Sequence, residues 1–183
     1  MHSKNLKPVK VAGLADEFIR GLGYFFALWC TIDLTTDYAI GQFLGVSDED
    51  AHLVTSGMMF GRKARVLADL ISKSDHPQKA KMLSAFNKIR GTSKREIFAH
   101  SYLWSDDNRV VFHERSIGGD FRVIKHEFTI QQFLHHVAEL AVESEKFYSA
   151  LGATREQVTA FADAALNLDR KASKSGAKPD SKA

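Results

Sequence analysis

The amino-acid sequence predicts a mainly α-helical protein, a helical bundle with one inserted β-hairpin at about 109–126. Only three of the 183 residues are proline, so few positions interrupt a helix. Long segments before and after the hairpin repeat apolar residues at the helical period. Between them, two short runs of β-branched and aromatic residues flank a Gly-Gly-Asp turn, which is a pattern typical of a hairpin.

Three helices are predicted in the first half of the chain. Apolar residues at a spacing close to 3.6 positions predict the first, within 11–44. A capping-box pattern at Ser47 and Asp50 begins the second, which should run to about residue 72. Pro77 suits the first turn of the third helix, and Gly91 ends it.

The second half combines helices with the hairpin. A short fourth helix is predicted over Lys94–Trp104, with Ser93 and Glu96 as its capping box. The hairpin strands are Val110–His113 and Phe121–His126. The last two helices begin at similar pairs, which are Thr129 with Gln132 and Thr154 with Gln157.

The composition, 44% hydrophobic and 26% charged, is that of an ordinary soluble domain. We expect one domain over 11–169, between a flexible basic N-terminus at 1–10 and a disordered basic tail at 170–183. The longest uncharged apolar run, Gly21–Ile32, is too short to span a bilayer. With a single cysteine, Cys30, and no signal-peptide pattern, the sequence predicts a cytoplasmic protein without a membrane partner.

The formal net charge of +3 comes from the two ends of the chain, because the body is mildly acidic. The charge therefore gives little support to nucleic-acid binding by the whole surface. One internal stretch, His76–Arg95, carries six Lys/Arg residues and no acid. It is either a solvated helix face or a surface for RNA phosphates, in which case Lys88, Arg90 and Lys94 are the candidate contacts.

Signatures of metal and nucleophile chemistry are missing from the sequence. It has no paired cysteines, no HExxH and no glycine-rich phosphate loop. His113 and His126 lie on the two predicted strands and could face each other, but two imidazoles without carboxylates or thiolates are a poor metal site. We predict no metal site and no cofactor.

One segment carries a recognisable motif, an arginine followed after four residues by a histidine, Arg95 and His100. It resembles the R-x4-H motif of HEPN-domain proteins, often written RNxxAH, with Ala99 matching and Glu96 in place of the usual Asn. Upstream, Trp29–Asp33 resembles the W-x-x-I-E/D stretch on the first helix of such proteins. The order of helices, motif and hairpin is also similar, so the resemblance covers roughly 14–150.

The resemblance implies a metal-independent endoribonuclease built across a homodimer. Our first hypothesis is such an enzyme, or an RNA-binding element, of a defence or toxin-type system. His100-Ser101-Tyr102 further resembles the R-x4-H-x-Y form of HEPN toxins, which are paired with an antitoxin protein. In this hypothesis His100 is the general acid or base and Arg95 holds the scissile phosphate. Glu96, Tyr102 and Asp33 are supporting residues.

Helix geometry suggests a second interpretation of the motif. On an ideal helix His100 lies about 140° around the axis from Arg95 and about 7.5 Å further along it. Leu103, Trp104 and Ile97 would flank His100 in an apolar arc, where a histidine is often a core residue satisfied by backbone or by a carboxylate such as Asp33. Tyr102 would be half-buried.

Two non-catalytic functions therefore stay open. In the first of these, the chain is a HEPN-like interaction module in which Arg95 and His100 are structural. Gly57 and Gly61, which would let another backbone approach closely, contribute to self-association or to a partner. A third hypothesis is a helical bundle that binds a small ligand or nucleotide between Arg95 and His100.

Overall fold

The computed structural model describes residues 14–106, 109–118 and 120–175. The predicted basic N-terminus at 1–10 and the end of the predicted tail, 176–183, lie outside these ranges. The described residues form seven helices and a three-stranded antiparallel sheet, so the mainly helical fold class is confirmed. The elements are α1 (Asp16–Leu44), α2 (Asp48–Thr55), α3 (Phe60–Lys73), α4 (Lys79–Thr92), α5 (Arg95–His100), β1 (Tyr102–Asp106), β2 (Arg109–Gly118), β3 (Asp120–Thr129), α6 (Ile130–Leu151) and α7 (Arg155–Ser175).

Local capping residues begin three of these helices as predicted. Ser47 accepts a hydrogen bond from the backbone N–H of Asp50 at 3.2 Å. At α6, Gln132 Oε1 accepts from the Thr129 N–H at 2.8 Å, and Thr129 Oγ1 accepts from the Gln132 N–H at 3.0 Å. Gly152, with φ of +72°, ends α6. Thr154 and Gln157 repeat the reciprocal pair at α7.

The helix predicted from Ser47 to about residue 72 is two helices, α2 and α3, separated by a non-helical break. Met59 before α3 is extended, with φ of −68° and ψ of 149°. Gly57 lies next to this break, and without a side chain it makes no contact that would stabilise a continuous helix. Within the chain no atom approaches Gly57 or Gly61 closely, since a Cβ at either position would have nothing within 4 Å.

The close approach occurs at Gly41 instead, where a Cβ would lie 2.6 Å from the Cβ of Ala51. Both side-chain positions are rigid, so Gly41→Ala should lower the free energy of unfolding by about 1–3 kcal/mol. A Cβ at Gly23, also inside α1, would have nothing within 4 Å. Gly23→Ala should therefore stabilise by about 0.5–1 kcal/mol. Urea unfolding of both variants tests this contrast, and equal effects would contradict it.

The predicted fourth helix, Lys94–Trp104, ends early. Its last three residues belong to β1, because Tyr102–Asp106 pairs with β2 and the aromatic residues in it suit a strand. The predicted capping box is also wrong. Lys94, which precedes α5, is in the left-handed conformation with φ of +47° and makes no side-chain cap, while Ser93 caps the C-terminus of α4.

The predicted hairpin is present, longer than expected and joined by β1 in the order β1-β2-β3. His113 lies opposite Lys125, whereas His126 lies opposite Phe112. His113 and His126 therefore point to opposite faces of the sheet, and the expectation that they face each other is wrong. His126 contacts Glu114 at 2.9 Å instead.

The chain divides into two compact units. The first contains the described residues up to Phe25 together with 94–138, so it holds α5 and the sheet. Its core is aromatic: the ring of Phe98 lies 5.0 Å from those of Phe25 and Phe112, and 5.2 Å from that of Phe133. Because α5 supplies Phe98 to this core, the helix that carries the motif is anchored.

The second unit contains 26–93 and the described residues from Glu139 onward. Its core includes the rings of Tyr38 and Phe161, which lie 5.8 Å apart. The last helix, α7, continues to Ser175, six residues into the tail for which composition predicts disorder. No helix among the described residues combines the length and apolar character that crossing a membrane requires.

Candidate functional site

Arg95 is the first residue of α5, and its position determines where its side chain lies. No turn of α5 precedes Arg95, so the long side chain can bend along the helix surface. Its Nη1 donates to Glu96 Oε1 at 2.8 Å. The Arg95 side chain is 29% exposed as a whole, although its Nε is buried.

Glu96 connects the two motif residues. Its second oxygen, Oε2, lies 3.6 Å from Nε2 of His100. Glu96 and His100 are four positions apart and therefore neighbours on the helix surface. Arg95 and His100, which do not share a face, are thus linked through the carboxylate between them.

His100 is not a core residue, since its side chain is 61% exposed. The expected burial fails because α5 ends at His100. Leu103 and Trp104 lie on β1 and form no apolar helical arc around the imidazole. The histidine presents an accessible ring at the end of a helix anchored by Phe98.

Two more predicted residues lie in the same unit. Tyr102 begins β1 and is 63% exposed, so the expectation of a half-buried tyrosine is wrong. Lys94 places its ammonium 4.8 Å from the ring centroid of Phe128, within the range of a cation–π contact. Both flank the motif helix, one at each end.

Asp33, Lys88 and Arg90 belong to the second unit, and each has a partner there. Asp33 accepts from Lys63 at 3.1 Å, an ion pair rather than a contact with an imidazole. Lys88 and Arg90 are exposed on α4. Lys88 lies 3.4 Å from Glu143, and Arg90 Nη1 lies 3.4 Å from Asn87 Oδ1.

Two features of the structure were not predicted from the sequence. Lys63, a buried lysine, pairs with both Asp33 and Asp37 on α1. The spacing of the two aspartates, four positions on one helix, was a signal for a shared cationic partner. The second feature is the outer face of the sheet, which was hidden because β1 was predicted as helix.

No group of three or more His, Cys, Asp or Glu side chains within the described ranges is placed to hold a metal ion. No protein-family model, curated protein or solved structure matches this chain. The likeness to HEPN proteins therefore rests on the motif residues and on the order of the elements.

Proposed function

We propose that this chain is a HEPN-like, metal-independent endoribonuclease that acts as a homodimer in a defence- or toxin-type system. The observation that carries the proposal is the accessible cluster on α5, in which Glu96 lies between Arg95 and His100. A histidine and an arginine held together at a surface are a suitable pair for phosphodiester cleavage.

The chemistry uses the nucleophile that RNA itself carries. His100 takes the proton of a 2′-hydroxyl, and the O2′ attacks the adjacent phosphorus as the bond from phosphorus to O5′ breaks. The products are a 2′,3′-cyclic phosphate and a 5′-hydroxyl. Arg95 donates its forked N–H groups to the phosphate oxygens, where negative charge accumulates in the transition state.

A second acid completes the reaction, because the departing O5′ needs a proton. Each chain has one motif histidine, so the protonated His100 of a second copy supplies that proton. This requirement makes the homodimer part of the proposal. An antitoxin or other protein partner would act by covering the same cluster.

Glu96 is a positioning residue in this scheme. Its carboxylate accepts from Arg95 and lies beside the ring of His100, so it restrains both side chains. The usual Asn of the motif can donate as well as accept, whereas an ionised Glu only accepts. An ionised Glu96 therefore suits the guanidinium of Arg95 and the protonated form of His100 that donates to O5′.

The proposal predicts cleavage of single-stranded RNA by the purified protein in the presence of EDTA. Arg95→Lys keeps the charge but loses the planar fork, so we expect the cleavage rate to fall by at least about tenfold. Arg155→Lys, an exposed arginine at the start of α7, is the matched control and should cleave at the wild-type rate. Gel analysis of the cleaved RNA measures both.

Absence of cleavage by wild-type protein in EDTA would reject the endoribonuclease. The chain would then be better described as a non-catalytic interaction module in which Arg95 and His100 stabilise α5. An unchanged rate in Arg95→Lys would remove the phosphate-holding role from Arg95.

A further inference from the structure

The outer face of the sheet carries aromatic and basic side chains in the first unit. Tyr102 and Trp104 alternate along β1, His113 and Arg115 along β2, and Lys125 lies on β3. Alternation along antiparallel strands places all five on one side of the sheet. We call these five residues the sheet platform. The opposite side carries Phe112, which packs into the aromatic core.

The platform residues are close neighbours. Tyr102 lies opposite His113, which lies opposite Lys125, so the three form one row across the sheet. The Trp104 ring centroid is 6.3 Å from that of His113 and 6.0 Å from Lys125 Nζ. Tyr102 and Trp104 are among the exposed large side chains of the molecule. Two rings are thus available beside a cation.

The charge on this face is uneven. The rows of His113 and Arg115 contain no acidic residue. Glu127, an acid on the outer face, falls in the next row along β3. Its carboxylate bonds to Lys125 and lies 3.9 Å from Arg109, so two cations surround it. The end of the face that carries His113 and Arg115 is therefore its basic end.

We propose that the sheet platform binds a single strand of RNA, with bases stacked on Tyr102 and Trp104 and phosphates on Arg115 and Lys125. Aromatic rings interleaved with cations are the combination that single strands require, since every unpaired base has a face to stack. A duplex hides those faces. Two copies of this basic surface would repel each other, which favours a polyanion over a second chain.

The choice of RNA rests on the proposed function, and the position of the platform fits it. Tyr102 follows His100 by two residues, so their backbones are at most about 7 Å apart. A base stacked on Tyr102 would bring the adjoining phosphates toward α5. Binding itself does not depend on cleavage.

Binding is best measured in the His100→Ala background, where the probe stays intact. The probe is a fluorescently labelled oligouridine of about 12 nucleotides, followed by anisotropy. Tyr102→Ala should weaken binding by about 5-fold to 150-fold, the loss of one stacked base. Tyr24→Ala is the matched control, because Tyr24 is 57% exposed on α1 and lies outside the platform, so affinity should be unchanged.

A second variant should strengthen binding. Glu127→Gln removes a carboxylate that neutralises Lys125, so affinity at low salt should rise by roughly threefold, the scale of one phosphate contact. Damage to the fold cannot produce this gain. A matching increase in the salt dependence of the dissociation constant is expected.

Several results would overturn the inference. These are unchanged affinity in Tyr102→Ala, equal weakening by Tyr24→Ala, and a duplex of the same length bound as tightly as the single strand. Loss of self-association in Tyr102→Ala without loss of RNA affinity would show instead an interface between copies. Oligouridine binding through the platform without cleavage by the wild type rejects only the endoribonuclease. Cleavage with unchanged affinity in Tyr102→Ala rejects only the platform.

Discussion

Replacement of His100 by alanine should lower the rate of RNA cleavage in EDTA by about 10²-fold to 10⁴-fold, the contribution of a positioned general acid or base. Both proton transfers lose their donor or acceptor, because each copy in the homodimer supplies its own His100. The side chain is 61% exposed and contributes little to the core, so the variant should fold like the wild type. Initial rates on one RNA substrate measure the effect.

His135→Ala is the matched control for this loss. His135 is another exposed histidine of the same unit, on α6, and has no role in the proposed chemistry. Its rate should equal that of the wild type. Comparable losses in His100→Ala and His135→Ala, at equal thermal stability, would contradict the role of His100.

Lys63→Met should lower the free energy of unfolding by about 3–5 kcal/mol, the usual cost of breaking a buried ion pair on one side. Lys63 is buried, and its ammonium lies 2.8 Å from Asp37 and 3.1 Å from Asp33. Removing it leaves Asp37, itself buried, without its cation. Lys73→Met, at an exposed lysine of the same helix, should cost no more than about 1 kcal/mol.

The loss caused by Lys63→Met should depend on pH. Burial raises the pKa of Asp37 above its ordinary value of 3.8, and Lys63 opposes that rise. Without Lys63 the pKa of Asp37 in the folded state rises further. At pH values from 3.8 upward, the folded state therefore binds more protons than the unfolded state. Stability then falls as pH increases through that window.

Urea unfolding at about pH 7 and about pH 4.5 tests the sign. The difference between wild type and Lys63→Met should be smaller at the lower pH, where Asp37 is closer to protonation. A difference in the free energy of unfolding that is equal at both pH values, or larger at the lower pH, would contradict the buried ion pair as the cause.

The sequence predicted those features that short-range interactions decide. The reciprocal pair of Thr129 and Gln132 forms within one turn, so it is visible in four consecutive residues. The link from Glu96 to His100 is equally local, since four positions on a helix are neighbours, but the sequence analysis named Glu96 only as a supporting residue. The helical class and the hairpin follow from patterns of the same short range.

Features decided by distant residues escaped prediction. The segment Tyr102–Asp106 suits a short helix or a strand, and pairing with β2 selects the strand. That single difference explains why His100 is exposed and why Tyr102 and Trp104 lie on the sheet platform. The spacing of Asp33 and Asp37 signals a shared cation, but it does not identify Lys63, which lies 30 and 26 positions away.

In the proposed reaction, His100 activates the 2′-hydroxyl of RNA as the nucleophile without a metal ion. We would incubate wild-type protein in EDTA with an RNA oligonucleotide and with the same oligonucleotide carrying a 2′-deoxy sugar at the cleaved position. We expect cleavage of the first to a 2′,3′-cyclic phosphate and a 5′-hydroxyl, and none at the deoxy position. Cleavage at the deoxy position, a 5′-phosphate product, or an intact RNA substrate would contradict it.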